Sequence, residues 1–373
     1  MDVREISPEA HLAYLRSKPS ISFLQTPAWG KVKTDWSAIS LGWFDQENLV
    51  GAGLLLTRKL PKVKKFFGYL PEGPDLDWDN PLTVESALEA LIRYAKTKNI
   101  FHLKMGPHIW KRRWNNETLK HAIAEGAVRR ISDLPADLTN SSATTLIKLL
   151  RKAGWQQPVN NEAEFGDFQP RFVFQLELSG QSRDDLFAGF NQLWRRNIRK
   201  AEKTEVRVRI GTFEDLQLFH ECYVETAKRD GFHPRPLTYF QHMYRTMKAE
   251  SDERIELFIA QHQDHKGAIA ATTLTRVGNH AWYSYGASTT AARELRPSNA
   301  IQWQMISHAL AAGCETYDLR GISDTLDPNN HLFGLIQFKL GTGGYAQEYV
   351  GEWDFHISPL LAKAFNIYMS RRR

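Results

Sequence analysis

Two cysteines, Cys222 and Cys314, are all that 373 residues contain, and neither sits in a CxxC spacing. The chain therefore carries no disulfide framework and no cysteine-type zinc motif, and a reducing, cytoplasmic setting is expected. No run of about 18 apolar residues occurs, so no membrane-spanning helix is expected. The opening MDVREISPEAH lacks the charged-then-apolar order of an export signal. GxxxxGKS/T, GxGxxG after a strand, HExxH and GxSxG are also missing, which argues against nucleotide phosphoryl transfer and hydrolytic metal chemistry. No metal and no bound cofactor are expected.

What is present is an ordinary globular composition, 42% hydrophobic and 24% charged, in a chain long enough for two domains. The net charge of +6 and the pI of 9.1 lean toward an anionic partner, although mildly basic surfaces are common without one. Aromatic residues are plentiful and are assigned mostly to core or groove lining.

An internal repeat organises the chain. AISLGWFDQENLVGAGLLLTRKL reads as strand, polar turn, strand, and IELFIAQHQDHKGAIAATTLTRV in the second half reads the same way. Aromatic strands follow, FFGY from Phe66 and WYSY from Trp282, then a helix and another strand in each half. Thr57 matches Thr275, Phe66 matches Trp282 and Ile100 matches Glu315, at offsets of 218, 216 and 215. Such constancy over about 65 residues marks a duplication. Asn80-Pro81 caps the first helix, whose Leu88, Leu91, Ile92 and Ala95 share a face. In the second half Ser298 or Asn299 is expected to cap a helix bearing Ile301, Met305, Ala309 and Leu310, ended by Gly313. Further helices are expected over Asp184–Lys203, Phe213–Arg229 and Leu237–Lys248.

Hairpin, third strand, crossover helix and fourth strand make an α/β (α+β) fold, a mixed twisted sheet flanked by helices. Occurring twice, the order resembles two tandem GNAT-type acyltransferase domains. That fold usually cradles the pyrophosphate of acetyl-CoA on a glycine-rich loop before the crossover helix. The loops here, ASTTAARELRPSNA and PEGPDLDWDNP, lack the glycines for close backbone approach, so the acyl donor is not expected to be a CoA thioester.

LQTPAWGKVKTDW, TAKRDGFHPRPLTYF, TYDLRGI and FKLGTGGYAQEYVGEWD resemble, in order and separation, the Fem family of peptidoglycan-branching aminoacyltransferases. The resemblance covers about Phe23 to Glu352. It implies transfer of an aminoacyl group from aminoacyl-tRNA to the side-chain amine of a precursor stem peptide, with UDP-MurNAc-pentapeptide or lipid II as acceptor. It also implies a first domain of residues 1–166 plus a returning 350–373, and a second of residues 167–349. No long charged heptad segment interrupts residues 190–206, so the compact type without a coiled-coil arm is expected.

The resemblance places Lys33, in AWGKVK, on the precursor diphosphate; a lysine there is otherwise a surface charge. Arg235 lies between two prolines that fix the backbone, which pre-organises it for bidentate phosphate contact. Tyr239, four residues on, could reach the same ligand. Tyr283 and Tyr285 alternate along a strand and are expected on one face, opposite Trp282, with one of them presenting its hydroxyl to the groove. Phe338-Lys339 matches the family's Phe-Lys pair before EYxGE, here Glu348–Glu352. An amine attacking an ester passes through a tetrahedral oxyanion, which a fixed ammonium stabilises. No general base is identified. Many relatives carry an aspartate where Gly106 stands before Pro107, and His108 is read as an ordinary loop histidine.

Arg195, Arg196, Arg199, Lys200 and Lys203 surround the stripe of Phe187, Phe190, Trp194, Ile198 and Ala201, and offer a tRNA contact or simply a solvated face. Arg58–Lys65 offers a weaker one. SPLLAKAFNIYMSRRR reads as an amphipathic helix that docks on the first domain or rests peripherally on the inner face of the plasma membrane. A monomer is expected. Two rivals share parts of this reading: an aminoacyl-tRNA-dependent transferase acting on a protein N-terminus or a peptide natural product, and a non-catalytic RNA-binding module. The amino acid transferred and the form of the acceptor are not legible here.

Overall fold

A computed structural model describes residues 1–61, 63–158 and 168–362. The first half runs β1 (Asp2–Glu5), α1 (Pro8–Arg16), α2 (Pro27–Val32), β2 (Ser37–Asp45), β3 (Asn48–Lys59), β4 (Phe66–Leu70), α3 (Pro81–Thr97) and β5 (Ile100–Met105). Then come β6 (Trp110–Asn115), α4 (Asn116–Glu125), β7 (Leu138–Thr139) and α5 (Ser141–Lys152). The second half runs β8 (Phe172–Glu177), α6 (Arg183–Gly189), α7 (Gln192–Lys203), β9 (Arg207–Gly211), α8 (Leu216–Asp230), α9 (Leu237–Glu250), β10 (Ile255–Gln261), β11 (Ala270–Val277) and β12 (His280–Ser288). It ends with α10 (Pro297–Ala311), β13 (Thr316–Gly321), α11 (Phe333–Leu340), β14 (Tyr345–Tyr349) and β15 (Trp353–His356).

The chain divides into two compact units. Unit one holds Met1–Arg113, Ala136–Phe172 and the segment from Gln347; unit two holds Trp114–Pro135 and Val173–Ala346. Trp114–Pro135 lies in the first half of the sequence, yet Ser132 Oγ donates to Asp324 and Arg129 pairs with Asp327, both in unit two.

Unit one is built on a sheet of order β1-β2-β3-β4-β5-β15, in which only β4 and β5 run parallel. That parallel pair requires a crossover, and α3 provides it. Asn80 accepts from the amides of Leu82 and Thr83, and Pro81 fills the first helical position. Leu88 and Leu91, each 1% exposed, pack with Leu103, Met105 and Trp43. Each leucine buried this way contributes about 2 kcal/mol.

In unit two the strands run β8-β13-β12-β11-β10-β9, again with one parallel pair, β12 and β13, joined by α10. The duplication thus extends to topology, and each unit has one GNAT-type arrangement. Three local expectations change. The helix expected over Asp184–Lys203 is two helices, because Asn191 leaves the helical path and caps α7 through Trp194 N. Phe190, at the break, stays buried between Trp194 and Trp303. Neither Ser298 nor Asn299 caps α10: Pro297 takes the first helical position, and Arg296 precedes it in a left-handed conformation.

The third change concerns β12. Thr273 and Leu274 are neighbours, but they face Tyr285 and Tyr283, so Ser284 is an extra residue in a β-bulge. The bulge resets the alternation and turns Tyr283 and Tyr285 to opposite faces, with Tyr285 on the face of Trp282. Among the described residues no helix is long and apolar enough to cross a membrane.

Candidate active site

Unit two contains a cavity of about 400 Å³ where β12 ends and α10 begins. Tyr283, Gly286, Arg229, Arg293, Arg296 and Asn299 line it, with Phe338 at one side. The bulge sends the Tyr283 ring into this space, and Gly286 makes room for it. A Cβ at Gly286 would stand 1.7 Å from the Tyr283 hydroxyl. Burial pushes the Tyr283 hydroxyl up to about 12, so it remains a neutral donor at physiological pH. Thr226 ties α8 to the end of β12 through the backbone of Ser288, and Arg229 Nη1 donates to Ser288 O at 2.8 Å.

The cavity holds polar atoms that lack protein partners. Asn299 is 5% exposed, and its Nδ2 makes no hydrogen bond, while its Oδ1 accepts from Asn197 at 3.3 Å. Arg296 Nε is likewise buried without an acceptor. Left-handed backbone at a non-glycine residue such as Arg296 costs about 1 kcal/mol and is characteristic of binding sites. Arg229 is already paired with Asp230, which also lines the cavity, but the Arg293 and Arg296 guanidiniums, the unpaired N–H donors and the first turn of α10 together suit an anionic ligand. The loop lacks glycine, as its sequence shows, so side chains rather than a backbone cradle would do the holding.

Next to Phe338, Lys339 is 3% exposed and lies outside the cavity wall. Its Nζ donates to Gly321 O at 2.7 Å and Arg320 O at 3.2 Å, which leaves a third N–H direction. Burial lowers its pKa to about 7; the charge of Asp318 opposes that fall and Arg320 adds to it. Such a lysine changes protonation near neutrality, a property concentrated at reaction centres. The α11 scaffold is rigid: Trp194 Nε1 donates to Phe338 O at 2.8 Å, and a Cβ at Gly341 would sit 2.0 Å from the Trp194 ring.

Arg235, Tyr239 and Tyr285 come together on the opposite face of the same sheet. The Tyr239 and Tyr285 hydroxyls lie 3.3 Å apart, and the exposed Arg235 guanidinium is 4.6 Å over the Tyr239 ring. His220 Nε2 contacts Arg235 O at 3.0 Å and steadies the proline-flanked loop. Burial pushes the Tyr239 hydroxyl far above its usual range, so it too stays neutral. In unit one, Lys33 follows α2 with its Nζ 4.2 Å over the Trp29 ring. On α7, Arg196, Arg199, Lys200 and Lys203 are exposed, whereas Arg195 is half-buried and donates to Ala188 O. Lys62 of the Arg58–Lys65 cluster, and the tail from Lys363 onward, lie outside the described residues.

The two acids of EYVGE are buried in unit one. Glu348 pairs with Lys111 and Arg112, and Glu352 accepts from Tyr69 and from Phe168 N. A Cβ on Gly106 would stand 3.3 Å from Glu352 Cγ, so this carboxylate side chain borders Gly106. His108 stacks on Tyr349 at 4.4 Å. The cavity arginines and Asn299 are the residues that the sequence did not single out. They come from α8, the β12–α10 loop and α10, and no local spacing links them.

Comparisons with known proteins fit this geometry. The lipid II:glycine glycyltransferase of Staphylococcus saprophyticus is 24% identical over 445 aligned positions, covering 100% of this chain and 99% of the relative. A crystal structure of FemX superimposes with a TM-score of 0.80 at 21% identity, covering 98% of this chain and 99% of the other. A tandem GNAT protein from the clavulanic acid pathway reaches 0.52 at 10% identity, covering 96% and 99%. The model of the FemAB family matches residues 6–260 and 245–369, nearly the whole sequence. The chain belongs to the FemAB family.

Proposed function

We propose that the protein transfers an aminoacyl group from aminoacyl-tRNA to the side-chain amine of a peptidoglycan precursor stem peptide and so builds an interpeptide bridge. The observation that carries this reading is Lys339, a buried amine held by two carbonyls and adjacent to Phe338 on the wall of an arginine-lined cavity. The cavity would take the phosphate-bearing 3′ end of the donor, and the α7 basic strip would take its acceptor arm. Arg235 and Tyr239 would hold the precursor diphosphate, and Tyr285 would brace Tyr239. As the acceptor amine adds to the aminoacyl ester, the Lys339 ammonium would face the developing oxyanion, and expulsion of the ribose hydroxyl would complete the amide. The ester is already activated, so no covalent enzyme intermediate is needed. The acceptor is UDP-MurNAc-pentapeptide or lipid II; the curated relatives, named for lipid II and glycine, favour the lipid-linked form and glycine. A lipid-linked acceptor places the enzyme peripherally at the inner face of the plasma membrane.

The test is incubation with individually charged tRNAs and each precursor form, with products weighed by mass spectrometry. A mass gain of one amino-acid residue on the stem peptide is expected. Lys339→Ala should lower kcat far more than it raises KM for the precursor. No product with any charged tRNA, or equal damage to kcat and KM, would refute the reading.

A further inference from the structure

The backbone that holds Lys339 is bent by one side chain. Near the end of β13 the chain bends at Arg320, whose φ is +63°, and the pairing of β13 with β8 becomes irregular between Asp318 and Gly321. Arginine gains nothing intrinsically from this conformation, which costs about 1 kcal/mol. Asp318 supplies the compensation. Its Oδ1 accepts from Arg320 N at 2.5 Å, closing a tight turn over its own strand. Its Oδ2 accepts from Gln175 Nε2 at 3.0 Å, and Gln175 Oε1 in turn accepts from the Tyr345 hydroxyl at 3.1 Å. The His280 ring lies 3.7 Å away. The carboxylate is 1% exposed, so its position is fixed from both sides. The turn aims two successive carbonyls, Arg320 O and Gly321 O, at one Nζ.

We infer that Asp318 is a positioning residue for the transfer step: it clamps the Arg320–Gly321 turn so that the two carbonyls orient the Lys339 amine. The inference rests on the reading of Lys339 given above. Without the clamp, Arg320 relaxes to an ordinary conformation, its carbonyl swings away, and the amine loses its direction. Misplacement of a reacting group by about 1 Å can lower a rate on the order of 100-fold. The clamp needs an acceptor at Oδ1 rather than a negative charge, which separates two substitutions.

Steady-state transfer is measured on the full-length protein, with charged tRNA and precursor varied in turn, after circular dichroism confirms that each variant folds. Asp318→Ala should lower kcat by roughly 10- to 100-fold with KM for both substrates changed less than about threefold. Asp318→Asn keeps the acceptor and, compared with the parent at a pH low enough for Lys339 to stay protonated in both, should stay within about fivefold of it. Arg320→Gly, added to Asp318→Ala, should recover part of the lost kcat, since glycine adopts positive φ without a clamp. An unchanged kcat in Asp318→Ala, a loss in Asp318→Asn as large as in Asp318→Ala, or no recovery in the double variant would each overturn the inference. Lys339→Met separates the two levels: retained activity there sinks the role of Lys339 itself. In that case the Lys339 ¹³Cε resonance still decides whether Asp318 orders the side chain. A sharp, single signal that broadens or splits in Asp318→Ala supports the clamp, and an unaltered one overturns it.

Discussion

Replacing Lys339 by methionine should abolish transfer and, as pH falls toward neutrality, make the fold progressively more stable relative to the parent. The lysine is 3% exposed and holds its proton in the folded protein only below about 7, against 10.5 ordinarily. Between these values the unfolded chain binds more protons than the folded one, so the lysine's contribution to stability rises with pH. Each pH unit within the gap is worth about 1.4 kcal/mol, with about a quarter of the first unit lost because the folded group is itself titrating near 7. From pH 7 to pH 9 the parent should therefore gain about 2 kcal/mol relative to Lys339→Met. Leaving Arg320 O and Gly321 O without a donor costs the variant a further amount that does not depend on pH and cancels in this comparison. Urea denaturation of both proteins at the two pH values supplies the four free energies. A difference that stays flat, or that moves in the variant's favour as pH rises, would refute the reasoning that the buried amine is forced toward neutrality.

Two further substitutions test the packing around the site. Gly344→Ala places a Cβ 2.1 Å from Gln175 O, a backbone atom that cannot step aside, and should cost about 3 kcal/mol in thermal or chemical unfolding. Gly286→Ala drives the Tyr283 ring from its place in the cavity and should weaken binding of charged tRNA about tenfold, read by filter binding, while precursor affinity stays within about twofold.

Much of the architecture could be read from residues whose effects are local. Asn80-Pro81 starts a helix by its own chemistry, and two strand–turn–strand stretches at constant offset announce the repeat without reference to tertiary contacts. The errors arose where one residue changes the geometry of its neighbours. Ser284 carries no sign of being an extra residue in β12, yet it decides which faces Tyr283 and Tyr285 occupy. Ser298 and Asn299 are cap residues by type, yet Pro297 already occupies the first helical position. Phe338-Lys339 stood out by resemblance, but the carbonyls that hold Lys339 belong to a bend at the end of β13, and the sequence TYDLRGI gives no hint that Arg320 is left-handed. The cavity was invisible for another reason. Arg229 and Arg296 are remote along the chain and meet only because the crossover brings α10 back beside β12.

The closing strand of unit one has a consequence for biosynthesis. β5 receives its outer neighbour from β15, which follows β8 to β13 in the chain, whereas β13 receives β8, which is made before it. On the ribosome β13 meets β8 as soon as it emerges, while the far edge of β8 waits for β14. The earlier unit must wait with the edge of β5 open until synthesis has run through the whole of its twin. A chain cut short before Trp353 would therefore leave the edge of β5 open and prone to aggregation.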